Sequence, residues 1–146
     1  MRRLRTAGFS LIELAVVLAI LALAAAVVAP SVARTADGVR ARAEVGAVAG
    51  FLRSARELAV SRREPVEVRI EHGRQALVMA GAGPDATVRA TQPLALLRVS
   101  GAPRVTFFPH GMSSGAHLAL TAPGARAYVI AVDALTGRVV AMRSGS

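Results

Sequence analysis

Gly8-Phe9-Ser10-Leu11-Ile12-Glu13-Leu14-Ala15-Val16-Val17-Leu18-Ala19-Ile20-Leu21-Ala22-Leu23-Ala24-Ala25-Ala26-Val27-Val28-Ala29 is the stretch around which the chain is organised. Every residue in 14–29 is apolar, and no charge occurs in 14–33. A helix over residues 9–29 is about 30 Å long, enough to cross the hydrocarbon core of a bilayer. One residue conflicts with a plain span. Glu13 sits inside the run, and a carboxylate at the bilayer centre costs roughly 2.5–3.5 kcal/mol on insertion scales, less near the interface. Something must offset that cost.

Working outward, the run follows a basic leader, Met1-Arg2-Arg3-Leu4-Arg5-Thr6-Ala7-Gly8. A secretory signal has an apolar region of about 7–15 residues ending at a small-residue cleavage site. This run is longer, contains Glu13, and has Pro30 directly after Ala-Val-Val-Ala. A simple signal anchor accounts for the length, and Arg2, Arg3 and Arg5 place its N-terminus in the cytoplasm by the positive-inside rule. It leaves Glu13 unexplained. Arg5-Thr6-Ala7-Gly8-Phe9-Ser10-Leu11-Ile12-Glu13-Leu14 resembles the class III signal of type IV pilins and pseudopilins. The resemblance implies that prepilin peptidase cuts between Gly8 and Phe9, that Phe9 is then N-methylated, and that Glu13 pairs with the free amine of a neighbouring subunit during assembly. A positive amine beside the carboxylate offsets part of its burial cost. Pro30 falls where pilin helices commonly kink, and an interior Pro removes a helix hydrogen bond.

The 146 residues leave room for one domain beyond this segment. Aromatic residues are 3% of the chain, with no Trp, so the core has to be built from Val, Leu, Ile and Ala. The absence of Cys excludes disulfides and thiolate metal sites. The net charge of +9 is carried by dispersed arginines without a single lysine, a pattern that reads as a solvated surface more than as a nucleic-acid footprint.

After Pro30, Val45, Val48, Leu52, Ala55 and Ala59 recur at helical spacing, with Phe51 and Leu58 alongside and Arg42, Arg53 and Glu57 elsewhere. The glycines Gly38, Gly46 and Gly50 weaken such a helix, and we expect a loose region over 34–38. The helix should end within 61–64, because the residue before Pro65 is pushed out of the α region. From Pro65 the period becomes two. Val66-Glu67-Val68-Arg69-Ile70-Glu71 alternates, His72-Gly73 turns, and residues 75–80 return as a hairpin partner. Further strands are expected at 87–91 (a weak edge), 94–99, 104–108, 116–121, 127–132 and 138–143, with Gly- and Pro-containing breakers between them. The pattern predicts an α+β fold: a long N-terminal helix, membrane-spanning in one half and amphipathic in the other, packed on an antiparallel β domain of two sheets. The expected segments are 1–8 (leader), 9–30 (transmembrane and assembly helix), 31–64 (amphipathic continuation) and 65–146 (β domain).

Little in the chain points to catalysis. Gly111-Met112-Ser113-Ser114-Gly115 matches G-x-S-x-G, but it joins two expected strands, and the order Ser, Asp, His fails because His117 precedes Asp133. His72, His110 and His117 lack metal-ligand spacing, and Asp85 and Asp133 are too few for a calcium cage of 6–8 oxygens. No Walker A or dinucleotide fingerprint occurs. We expect a non-enzyme without cofactor or metal.

Val105-Thr106-Phe107-Phe108-Pro109-His110-Gly111-Met112-Ser113-Ser114-Gly115-Ala116-His117-Leu118, followed by Leu135-Thr136-Gly137-Arg138-Val139, resembles the C-terminal domain of the GspH/FimT group. That group includes the H-type minor pseudopilin of type II secretion and the FimT minor pilin. The resemblance implies a single-pass inner-membrane protein with its N-terminus in the cytoplasm and its β domain in the periplasm. It further implies assembly into a pseudopilus that supports protein export across the outer membrane. The implied partners are major and minor pseudopilins, prepilin peptidase and the inner-membrane assembly platform. The alternative is a FimT-like minor pilin that binds DNA for uptake or primes a type IV pilus, with Arg126, Arg138 and Arg143 as candidate DNA contacts. FimT-type binders carry Gly-Arg-x-Arg near the C-terminus, whereas this chain has Gly137-Arg138-Val139-Val140 with the next arginine at Arg143. On a strand, Arg138 and Arg143 point to opposite faces, which disfavours a shared phosphate clamp.

Overall fold

The computed structural model describes residues 10–81 and 87–145, with residues 28–34 described by their backbone alone. Gly8, Phe9, Asp85 and the side chain of Pro30 lie outside the described residues. The chain forms two compact units, Met1–Gly38 and Val39–Ser146, and helix α1 (Leu11–Arg62) contributes to both. α1 runs unbroken through 34–38, so the loose region expected there does not form. A few residues of weak propensity do not interrupt a helix whose neighbouring turns supply its hydrogen bonds.

In the first unit the described apolar side chains of residues 11–27 are exposed. Leu11, Ile12, Leu14, Ile20, Leu23 and Val27 are all more than half exposed. Among the described residues no helix is long and apolar enough to cross a membrane. The described side chains of the apolar run stop at Val27, while the uncharged run in the sequence continues to Ala33.

In the second unit α1 becomes one-sided. Val45, Val48, Leu52, Ala55 and Ala59 are buried, joined by Ala41 and Ala49, and Phe51 and Leu58 pack at the margin. The residues of the 3.6-period stripe thus form the helix contribution to the core. The helix stops at Arg62, followed by Arg63 at φ 55, a bend at Glu64 and then Pro65. A left-handed residue just past the last turn is a common helix terminator, and Pro65 excludes continuation.

The strands are β1 (Val66–Glu71), β2 (Ala76–Gly81), β3 (Val88–Pro93), β4 (Arg98–Gly101), β5 (Arg104–Phe107), β6 (Ala116–Ala122), β7 (Arg126–Val132) and β8 (Val139–Arg143). They form two antiparallel sheets, of order β3-β2-β1-β5 and β4-β6-β7-β8. β6 shows strict alternation, with Ala116, Leu118, Leu120 and Ala122 buried and the residues between them exposed. Phe107, Leu118, Leu120, Ile130 and Leu52 are fully buried, each worth about 1.5–3 kcal/mol of transfer free energy. Glu67 departs from the alternation expected of β1: it is buried and paired with Arg69.

One expected strand is corrected. Residues 94–97 are a loop, and only the end of the predicted 94–99 strand pairs, within β4. The cause is Glu44 on α1. Its carboxylate accepts from the N–H groups of Ala95 (2.7 Å), Leu96 (3.0 Å) and Leu97 (3.4 Å), while Leu94 and Leu97 are buried on either side. Three backbone donors converging on one carboxylate satisfy the groups a ladder would otherwise use. Glu44→Ala is expected to destabilise the second unit by about 2–3 kcal/mol, since charge-assisted bonds contribute more than neutral ones. Hydrogen exchange at Leu96 and Leu97 should accelerate accordingly. Unchanged protection at both amides would remove this account of the loop.

Candidate functional site: a loop clasp and an arginine notch

Both loops that carry the C-terminal sequence resemblance meet at one end of the second unit. The β7–β8 turn is built by Asp133, whose Oδ1 accepts from the Thr136 hydroxyl and the Thr136 N–H, both at 2.7 Å. The Thr136 hydroxyl first and then its N–H hold the Asp133 carboxyl below its ordinary 3.8 against the opposing effect of desolvation, with a lesser contribution from the Leu135 N–H. The Gly137 N–H then donates to the Asp133 carbonyl (2.9 Å), and the chain turns at Gly137 with φ +63.

The β5–β6 loop zips onto this turn. Ser113 donates its N–H to the Ala134 carbonyl (2.9 Å) and its Oγ to the Asp133 carbonyl (2.9 Å), and that Oγ accepts from the Gly115 N–H (3.0 Å). Ser113 is therefore a buried clasp joining the end of one sheet to the other. Its hydroxyl proton is committed to a main-chain carbonyl, which agrees with rejecting G-x-S-x-G as a nucleophile elbow. Among the described residues no three His, Asp or Glu side chains group as metal ligands. His72, His110 and His117 are exposed, and His110 stacks on Phe108 with ring centroids 5.8 Å apart.

α1 locks the clasp with an arginine that sequence reasoning did not select. Arg56 Nε donates to the Gly111 carbonyl at 3.1 Å. Gly137 permits this approach: a Cβ there would lie 2.3 Å from the Gly111 carbonyl oxygen and 2.8 Å from Arg56 Nε. One turn earlier on α1, Arg53 donates to the Val139 carbonyl (3.3 Å) at the outer edge of β8. Arg53, Arg56 and Arg138 together line an open notch of 630 Å³ floored by Gly137 and Val139. Among the described residues none of these three arginines has a carboxylate within ion-pair distance. The only sequence signal was the i, i+3 spacing of Arg53 and Arg56 beside the buried stripe.

The three candidate DNA contacts do not gather. Arg143 lies opposite Tyr128 in the β7–β8 ladder, near the start of β7 where Arg126 sits. Arg138 stands at the other end of β8, five residues or about 17 Å away along an extended chain. The second feature of interest, Glu13, lies in the first turn of α1 among the exposed apolar side chains.

The family model described as type II transport protein GspH matches residues 44–136, and the prokaryotic N-terminal methylation motif matches residues 3–29. Among solved structures, the minor pseudopilin EpsH from the type 2 secretion system of Vibrio cholerae superposes with a TM-score of 0.61 at 15% identity. That match covers 73% of this chain and 98% of EpsH. The type IV minor pilin FimU of Pseudomonas aeruginosa superposes with a TM-score of 0.59 at 16% identity, covering 72% of this chain and 98% of FimU. A second crystal form of FimU gives 0.58 at 16% identity, over 71% and 89%. At these identities the likeness is one of fold. No curated protein matches the chain.

Proposed function

The chain belongs to the GspH family, and from that premise we propose that it is a minor pseudopilin of a type II secretion system, assembled through α1 to support protein export across the outer membrane. The family and the fold neighbours support the coarser statement, a structural subunit of a pseudopilus or type IV pilus. The observation that carries the finer reading is the combination of a GspH domain with an uncovered apolar helix that opens on Glu13. Such a surface is unstable in water and requires lipid or other helices around it. In the proposed sequence of events the 9–30 segment first anchors the chain in the inner membrane, N-terminus in the cytoplasm and the 65–146 domain in the periplasm. Prepilin peptidase then cuts between Gly8 and Phe9 and Phe9 is methylated. The assembly platform finally moves the helix into the fibre core, where Glu13 sets register and Pro30 accommodates a bend.

A second reading, a minor pilin of a type IV pilus, is favoured by the likeness to FimU. DNA binding through Arg126, Arg138 and Arg143 is not favoured, given their separation.

Expression in the native host, with mass spectrometry of the N-terminus and of co-isolated subunits, tests the reading. We expect a mature chain beginning at methylated Phe9 that co-isolates with type II pseudopilins. Co-isolation with type IV pilus subunits instead would establish the second reading. An uncleaved chain with neither set of partners would overturn both.

A further inference from the structure

An exposed apolar pair adjoins the notch along the chain: Leu135 precedes Thr136, which lines it, and Met112 follows Gly111, whose carbonyl Arg56 holds. Because the Ser113 N–H bonds the Ala134 carbonyl, Met112 and Leu135 flank one junction between the two loops, and both are exposed, Leu135 at 75%. Arg53 and Arg56 are held in place from one side only. Arg56 uses Nε on Gly111 and Arg53 one terminal nitrogen on Val139, which leaves other N–H groups of each fork unpartnered by protein. A guanidinium positioned by one hydrogen bond and open at its remaining donors is preorganised for a carboxylate. Arginine beside a large apolar side chain is also the composition of a protein-binding centre.

We infer that this notch is a docking site for an acidic protein segment of another subunit in the same assembly, a carboxylate entering between Arg53, Arg56 and Arg138 while neighbouring apolar side chains cover Leu135 and Met112. The inference rests on the fibre reading only for the source of the partner. Charge selects the occupant: without the three leader arginines the formal charge of +9 becomes +6, and among the described residues no acid lines the notch, so a second copy of this surface would be repelled. A phosphate backbone would match the arginines but leave the exposed Leu135 and Met112 without use. The contacts of a nucleic acid follow an extended track, whereas these three guanidinium groups surround one concavity.

The test places a photo-crosslinking amino acid at position 135 of the full chain in its native host, with a second chain carrying it at position 20 on the apolar helix. The position 135 adduct should map to a protein segment with Asp or Glu within a few residues of the crosslink. Its yield should fall at least about tenfold in Arg138→Glu, the loss expected when one member of a buried charge pair is reversed. Arg53→Glu should act in the same direction, and circular dichroism of each purified variant checks that the fold is kept. An adduct to nucleic acid, a mapped segment without acids, or a yield indifferent to both reversals overturns the inference. Crosslinks at position 20 to pilin-like subunits without any at position 135 overturn it too, while leaving the fibre reading intact. Loss of both removes the fibre reading and the docking site with it.

Discussion

Gly137→Ala is expected to lower the stability of the second unit by about 3 kcal/mol, a displacement of the thermal midpoint by roughly 10 °C for a unit of this size. Two effects add. The backbone at Gly137 has φ +63, a left-handed conformation that costs an L-residue about 1–2 kcal/mol. The new Cβ would also lie 2.3 Å from the Gly111 carbonyl oxygen, which is main chain and cannot rotate away. Relief requires the two loops to separate, and separation breaks the Arg56–Gly111 bond and loosens the Ser113 clasp. Gly46→Ala provides a control of opposite sign. A Cβ there meets nothing within 4 Å, and a mid-helix Gly→Ala change stabilises by up to ~1 kcal/mol. Thermal unfolding of the detergent-solubilised full chain, followed by circular dichroism, reads both. Equal midpoints for Gly137→Ala and the unsubstituted chain would show that the loops do not depend on the close approach.

The contrast between Gly46 and Gly137 marks what a single sequence reveals. Features set by neighbours along the chain were legible. The stripe Val45, Val48, Leu52, Ala55 and Ala59 is a local period and is buried in full; Pro65 limits the helix by local sterics, and the α+β class with two sheets followed from the change of period. Features set by distant residues were not. Apolar periodicity carried residues 94–99 as one strand, because nothing local reveals that Glu44, 51 positions from Ala95, withdraws the loop amides. The strand order, with β5 beside β1 and β4 beside β6, likewise needs the tertiary pairing. At the candidate site, Arg138 stands out in the sequence for a motif it only partly matches, Arg53 reads only as a residue off the apolar stripe, and nothing singles out Arg56. Their convergence depends on two loops and a helix meeting, which no spacing encodes. Ser113 is the converse case: its motif was visible, and the meaning of the motif was decided by the carbonyl its hydroxyl reaches.

Glu13→Ala is expected to leave the amount of membrane-associated protein unchanged or raised while cutting incorporation into the fibre by at least about tenfold, the factor that 1.4 kcal/mol supplies. The two readouts separate because the carboxylate acts oppositely on them. For insertion it is a penalty of roughly 2.5–3.5 kcal/mol at the bilayer centre, less near the interface, so its removal favours the lipid-inserted state. For assembly, on the proposed reading, it is the partner of a neighbouring N-terminal amine. Removing one member of a buried pair leaves the other charge uncompensated, typically a loss of about 3–5 kcal/mol. No neighbouring described side chain can replace its charge, since Leu11, Ile12, Leu14, Val16 and Val17 around it are apolar. Glu13→Gln separates charge from shape. The amide keeps the length and an acceptor oxygen but no charge, so it should fail nearly as badly as alanine if ion pairing sets register. Glu13→Asp keeps the charge on a shorter stem and should recover part of the incorporation. Membrane fractionation against co-isolation with the other subunits measures the two quantities in one preparation. Wild-type incorporation of Glu13→Gln would show that a neutral hydrogen bond suffices, and the charge pair would have to be abandoned as the source of register.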